Sequence, residues 1–278
     1  MRFELADRAP LIIVEASLND KGPFKFVVDT GSSVTVVGQE AAEVLGIHQG
    51  SNSAVSGCCS SKMIAVGSMQ IGSICKSKVP ITLGNLSPLS EETGTKLDGI
   101  IGSPFLKDYQ VVIDYTRREI TFEEPKQERR LPMEFRSVGD ANFIVVETKL
   151  NEKGPFSFLV DTGATKTTVA EQIGQTFDLY RTAHGRKAAL SGSFAGTTLI
   201  LSKVKSIQVG SAKSIDVEVG VHDLESPSNG VRLLVDRVLG YTFMKDYRVT
   251  INYPKRRLSF DKVEMSGMDS RANEAKRK

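Results

Sequence analysis

Short apolar runs rich in Val, Ile and Phe recur along the chain, separated by polar breaks that hold Gly, Pro, Asn and Asp. Such runs read as strands and the breaks as turns. LIIVEASL (11–18) leads through Asn19-Asp20-Lys21-Gly22-Pro23 into FKFVVDT (24–30), which predicts a hairpin. FIVVETKL (143–150), Asn151-Glu152-Lys153-Gly154-Pro155 and FSFLVDT (156–162) predict the same hairpin a second time. Helix is expected only as one or two turns in QEAAEVLG (39–46) and AEQIGQTF (170–177). Ser103-Pro104 opens another short one, since Pro suits a first helical turn. VVIDYTRREITF and VTINYPKRRLSF alternate like hairpin strands around Thr116-Arg117-Arg118 and Pro254-Lys255-Arg256. The prediction is an all-β molecule with short helices.

The repetition runs deeper than the pattern. NDKGPFKFVVDTGSSVTVV (19–37) matches NEKGPFSFLVDTGATKTTV (151–169) at 12 of 19 positions, with an offset of 132. Further on, DGIIGSPFLKDYQVVIDYTRREITF (98–122) matches DRVLGYTFMKDYRVTINYPKRRLSF (236–260) with an offset of 138. The six-residue change in offset places insertions between the blocks of the second copy, where a hairpin can be longer. Two copies are too few for a solenoid and predict two lobes about a pseudo-two-fold axis. The lobes are expected at 1–122 and 136–261. EEPKQERRLP (123–132) makes 123–135 the natural linker, because it is charged and broken by Pro. The polar, unpatterned residues 262–278 are expected to be a disordered tail.

Composition narrows the function mainly by exclusion. The chain has 278 residues, enough for two small cores, with 40% hydrophobic and 25% charged residues. A net charge of +3 implies no polyanionic partner, so nucleic acid is not expected. Cys58, Cys59 and Cys75 all fall in the first copy, which does not resemble a disulfide framework. His48, His184 and His222 are scattered without metal-ligand spacing, which argues against a zinc site and against Ser-His-Asp or Cys-His hydrolysis. Neither metal nor cofactor is expected. No run of 18 apolar residues is present, so no membrane association is expected. The N-terminal residues lack the pattern of a signal peptide, which gives a cytoplasmic expectation.

The chemistry lies in the repeated triplets Asp29-Thr30-Gly31 and Asp161-Thr162-Gly163, each closing an apolar strand. A single such triplet is as readily a plain polar turn. A matched pair can deliver two carboxyls to one place. Two carboxyls a hydrogen bond apart cannot both ionise, so they share a proton and supply base and acid together. Water then becomes a competent nucleophile toward an amide.

VVDTGSS and LVDTGAT are each followed downstream by a hydrophobic-hydrophobic-Gly element, Ile100-Ile101-Gly102 and Val238-Leu239-Gly240. On these residues the chain, from about 10 to 261, resembles a single-chain, duplicated retropepsin-like aspartic protease of the pepsin–retropepsin superfamily. The resemblance implies an aspartic endopeptidase with Asp29 and Asp161 as the catalytic pair. Thr30 and Thr162 would each bond the opposite loop, and Gly31 and Gly163 would leave room for main-chain N–H groups at the carboxylates. Gly102 and Gly240 would let the downstream elements cross closely behind. Ser32 follows one triplet and Ala164 the other. A Ser32 hydroxyl donating to Asp29 would favour its ionised form and leave the shared proton on Asp161. Asp98, Asp236, Asp108 and Asp246 read as turn, cap or surface residues, and Asp114 is replaced by Asn252 in the second copy.

Such proteins close hairpin flaps over the substrate. Here the candidates are 54–67, with Ser56 and Gly57, and 189–202, with Ser191, Gly192 and Phe194. The expected partner is a peptide or protein substrate in extended conformation, and the expected active unit a monomer with pseudo-dimeric lobes. A non-catalytic peptide-binding or scaffold protein on the same fold is the alternative.

Overall fold

The computed structural model describes residues 1–48, 55–56, 59–60, 63–124, 133–138, 143–179, 187–189, 198–222 and 237–263. The predicted hairpins form close to their expected bounds. Ile12–Leu18 pairs antiparallel with Lys21–Val28, and Phe143–Leu150 with Lys153–Val160. The left-handed turn positions fall in both copies on the same residue types, Asn19 and Asp20 in one, Asn151 and Glu152 in the other. In the first hairpin Ile12, Val14, Ala16 and Leu18 share one buried face, Glu15 between them is exposed, and Ile13 is buried in a second, smaller apolar cluster.

Each half builds its own sheet, of nine strands in the first and eight in the second among the described residues. The feature that positions the site is the same in both. Gly99–Ile101 inserts between two strands, running parallel to Lys21–Val28 and antiparallel to Val36–Gly38. Arg237–Leu239 does likewise between Lys153–Val160 and Thr167–Ala170. The chain therefore passes behind each Asp-Thr-Gly loop, and the glycine after each inserted strand lies close against neighbouring backbone. A Cβ on Gly102 would fall 2.1 Å from the Val34 carbonyl oxygen, and one on Gly240 would fall 2.3 Å from that of Lys166. No larger residue fits at either place.

A third sheet joins the halves. Its five strands run Glu119–Glu123, Gln110–Asp114, Tyr247–Asn252, Arg257–Lys262, Met133–Glu134. The central seam sets Gln110–Asp114 of the first half antiparallel to Tyr247–Asn252 of the second, from Gln110 opposite Asn252 to Asp114 opposite Arg248. Met133–Glu134, within the segment expected as linker, is itself a strand on its far edge. One contiguous apolar cluster runs through all three sheets, from Phe3 to Phe260, with Phe105, Phe122, Phe158, Phe243 and Tyr247 among its large members. Helices are short: among the described residues the longest, Gln39–Leu45 and Ser87–Thr93, have seven residues. None is long and apolar enough to cross a membrane.

Candidate active site

Each Asp-Thr-Gly loop emerges from a strand that the inserted element pins from behind. The Asp29 N–H donates to the Ile101 carbonyl at 3.0 Å, and the Asp161 N–H to that of Leu239 at 3.1 Å. The glycine N–H after each inserted strand donates to a threonine hydroxyl, Gly102 to Thr35 at 3.3 Å and Gly240 to Thr167 at 3.1 Å. Both threonines are fully buried. Their role was not foreseen from residue type, although Thr35 and Thr167 occupy matching places in the repeat, which was the available signal.

The two loops then clasp one another. The Thr30 N–H donates to the Thr162 hydroxyl and the Thr162 N–H to the Thr30 hydroxyl, each at 3.1 Å. Each hydroxyl donates onward across the axis, Thr30 to the Val160 carbonyl at 2.8 Å and Thr162 to that of Val28 at 2.7 Å. Four reciprocal bonds in a buried setting leave neither threonine with an unmet N–H or hydroxyl. At about 1 kcal/mol net each, they fix the loops against sliding.

This clasp brings the two carboxyls together. The Gly31 N–H donates to Asp29 Oδ1 at 2.8 Å, and the Gly163 N–H to Asp161 Oδ1 at 2.7 Å. Each carboxyl also lies over the glycine of the opposite loop: a Cβ on Gly31 would sit 2.5 Å from Asp161 Cγ, and a Cβ on Gly163 2.5 Å from Asp29 Cγ. Only glycine leaves that space. Asp29 and Asp161 are both buried. Burial raises the Asp161 carboxyl well above the usual carboxylate range, and the neighbouring Asp29 charge and hydrogen bond raise it further. The N–H groups of Gly163 and Gly31 pull the other way without cancelling the rise. The pair therefore keeps a proton above the usual carboxylate range and titrates as a unit.

The donor expected from Ser32 is engaged elsewhere. The Ser32 hydroxyl donates to the Val34 carbonyl at 2.8 Å and accepts from the Val34 N–H, a local turn bond that competes successfully for its single hydrogen. Ser32 therefore does not supply the expected donor to Asp29. Burial and the repulsion between the two carboxyls act on the pair instead.

Asp98, Asp108 and Asp114 have structural partners. Asp98 accepts the Lys25 N–H at 2.8 Å, and Asp108 pairs with Lys76 on the surface. Asp114 accepts the Arg117 N–H at 2.9 Å, as Asn252 accepts the Lys255 N–H at 3.0 Å, so amide and carboxylate do the same work at matching turns. Asp246 is exposed and Asp236 lies outside the described residues. Of the flap candidates, the backbone of Ser56 lies in the strand Val55–Ser56, which forms a small hairpin with Cys59–Ser60. The Ser56 side chain, Gly57, Ser191, Gly192 and Phe194 lie outside the described residues. Cys75 is free and exposed.

Comparison with known families agrees with this architecture. Residues 14–105 match the aspartyl protease family model, and residues 146–246 match that of the gag-polyprotein aspartyl protease. Each match contains one triplet and its downstream element. Two such domains stand in tandem, and the chain is an internally duplicated, mostly β retropepsin-like protein. No match was found among curated proteins.

Proposed function

We propose that the protein is an aspartic endopeptidase in which Asp29 and Asp161 activate one water between them. The observation that carries this reading is the reciprocal threonine clasp, which leaves each carboxyl resting on the opposite loop's glycine. Asp29 acts as the base: its carboxylate takes a proton from the water as the water oxygen attacks the scissile carbonyl carbon. Asp161 gives its proton to the carbonyl oxygen, and a tetrahedral diol forms with no covalent bond to the enzyme. In the return step Asp29 gives its proton to the leaving nitrogen, the C–N bond breaks, and Asp161 recovers a proton from a diol hydroxyl. The pair ends as it began, singly protonated. The two carboxyls titrate as a unit, and turnover requires the form that carries one proton, so activity belongs on the acidic side of neutrality.

The substrate is a peptide segment in extended conformation, which lies across the lobes and bonds through its backbone. The active unit is a single chain, because both halves of the pair come from it.

A denatured protein substrate at acidic pH tests the reading, with wild type beside Asp29→Asn and Asp161→Asn. Each variant is expected to lose at least about 10³-fold in cleavage rate, in the range of general acid–base catalysis. Pepstatin is expected to abolish the wild-type activity. A wild-type protein that binds peptides without cleaving them over the whole pH range would point to a scaffold instead. Cleavage surviving in both variants would assign the activity to another group.

A further inference from the structure

At three matched positions the two halves differ in chemical kind. Val34, Ala65 and Pro80 of the first half correspond to Lys166, Lys203 and Glu218 of the second, at the same offsets of 132 and 138. The backbone holds both sets alike: Ala65 is the cross-strand partner of Pro80, and Lys203 that of Glu218. Lys166 Nζ donates to Glu218 Oε1 at 2.6 Å, with both side chains half-buried. Lys203 stands directly opposite Glu218, where cross-strand side chains share a face. One carboxylate therefore faces two ammonium groups. All three residues line a cavity of about 610 Å³, walled by Arg8, Ala9 and Pro10 of the first half and by residues of the second. This cavity adjoins the Asp161 loop. The Ala164 N–H donates to the Asp161 carbonyl at 3.3 Å, and the Ala164 carbonyl accepts the Tyr241 N–H at 2.9 Å. Tyr241 and Thr165, the two neighbours of that carbonyl, both line the cavity.

We propose that Lys166, Lys203 and Glu218 make this cavity a subsite for an acidic side chain of the substrate, so that the cleft selects charge on one side of the scissile bond only. The proposal rests on the endopeptidase reading above, since it assigns the cavity to the peptide that the carboxyl pair cuts. A substrate carboxylate beside the two lysines meets the positive charge that Glu218 leaves over, and the partial burial of Lys166 limits screening. The other charges around the cavity balance in number: Arg8 and Lys245 stand against Asp216 and Asp246, all exposed. At the matching place in the first half, Val34, Ala65 and Pro80 offer no charge at all. A peptide has a direction and a symmetric cleft does not. Unlike ends would let this one hold its substrate in a single orientation.

Peptides of one sequence, carrying Asp or Lys at successive positions on either side of the cut, test this by kcat/KM at about pH 5, where the probe carboxylate is ionised. Wild type is expected to favour Asp over Lys about fivefold at a position on one side only, the order of a partly exposed ion pair. Lys203→Ala, at an exposed strand position, is expected to remove most of that preference. Lys166→Val should reverse it by leaving Glu218 uncovered, and Glu218→Gln should enlarge it. An equal preference at every position, or one unchanged in both lysine variants, would overturn the proposal. The same peptides, fluorescently labelled, are titrated onto Asp29→Asn with and without Lys203→Ala and followed by anisotropy. A wild-type protein that cleaves none of them would sink the endopeptidase reading alone, whereas binding with no charge preference would sink this one.

Discussion

At the scale of the residue, the site is defined by what cannot be replaced. Gly31 and Gly163 each face the carboxyl of the other loop at a distance that no Cβ tolerates. Gly31→Ala is therefore expected to force the carboxyls apart and lower cleavage by about 10²-fold or more, since small misplacements are costly at a reacting centre. Circular dichroism should show the strands intact. Asp161 offers a second measurement. Its carboxyl is raised in the folded state, so the folded chain holds that proton more tightly than the unfolded chain does. Stability from this group is then fully present below the ordinary carboxylate range and is lost as pH climbs from there toward the folded value. Asp161→Asn should melt a few degrees above wild type at neutral pH, on the order expected for relief of a buried like-charge pair. The advantage should vanish near pH 3, and a variant equally stable or weaker at neutral pH would count against the buried repulsion. Ser32→Ala is expected to leave the acid limb of the pH–rate profile in place, because its hydroxyl serves Val34.

At the scale of the element, the inserted strand and the clasped loop form one device used twice. Removing the Thr162 hydroxyl with Thr162→Val breaks bonds to Thr30 and Val28 and leaves the Thr30 N–H buried without its acceptor. A loss of about 2–4 kcal/mol in urea unfolding is expected, while Thr162→Ser should recover most of it. Equal losses in the two variants would show that the methyl group, not the hydroxyl, matters. Much of this device was legible beforehand. The apolar runs LIIVEASL and FIVVETKL with the turn signals after them predicted the hairpins, and the resemblance carried by the hydrophobic-hydrophobic-Gly elements implied the crossing behind each loop. What could not be read was where side-chain hydrogens go. Ser32 could serve Asp29 or Val34 with the same hydroxyl, and only the turn geometry decides. Thr35 and Thr167 were hidden for the same reason, since a buried threonine in a strand is usually there for its shape.

At the scale of the whole molecule, the sheet that joins the halves changes what a lobe is. The central strands, Gln110–Asp114 and Tyr247–Asn252, come one from each half, and the apolar cluster is continuous across them. The strand Met133–Glu134, between the two copies of the repeat, takes part in the same sheet. Pairing between segments so far apart in sequence leaves no signal in either segment alone. Calorimetry should accordingly give one transition with matching calorimetric and van't Hoff enthalpies, whereas two separate peaks would mean that the halves fold independently. Because the seam is intramolecular, its two sides meet at an effective concentration set by the polypeptide and not by how many molecules share the solution. A dimeric arrangement of the same device would switch itself off as it became scarce. Here the clasped loops should stay assembled at a single copy per compartment.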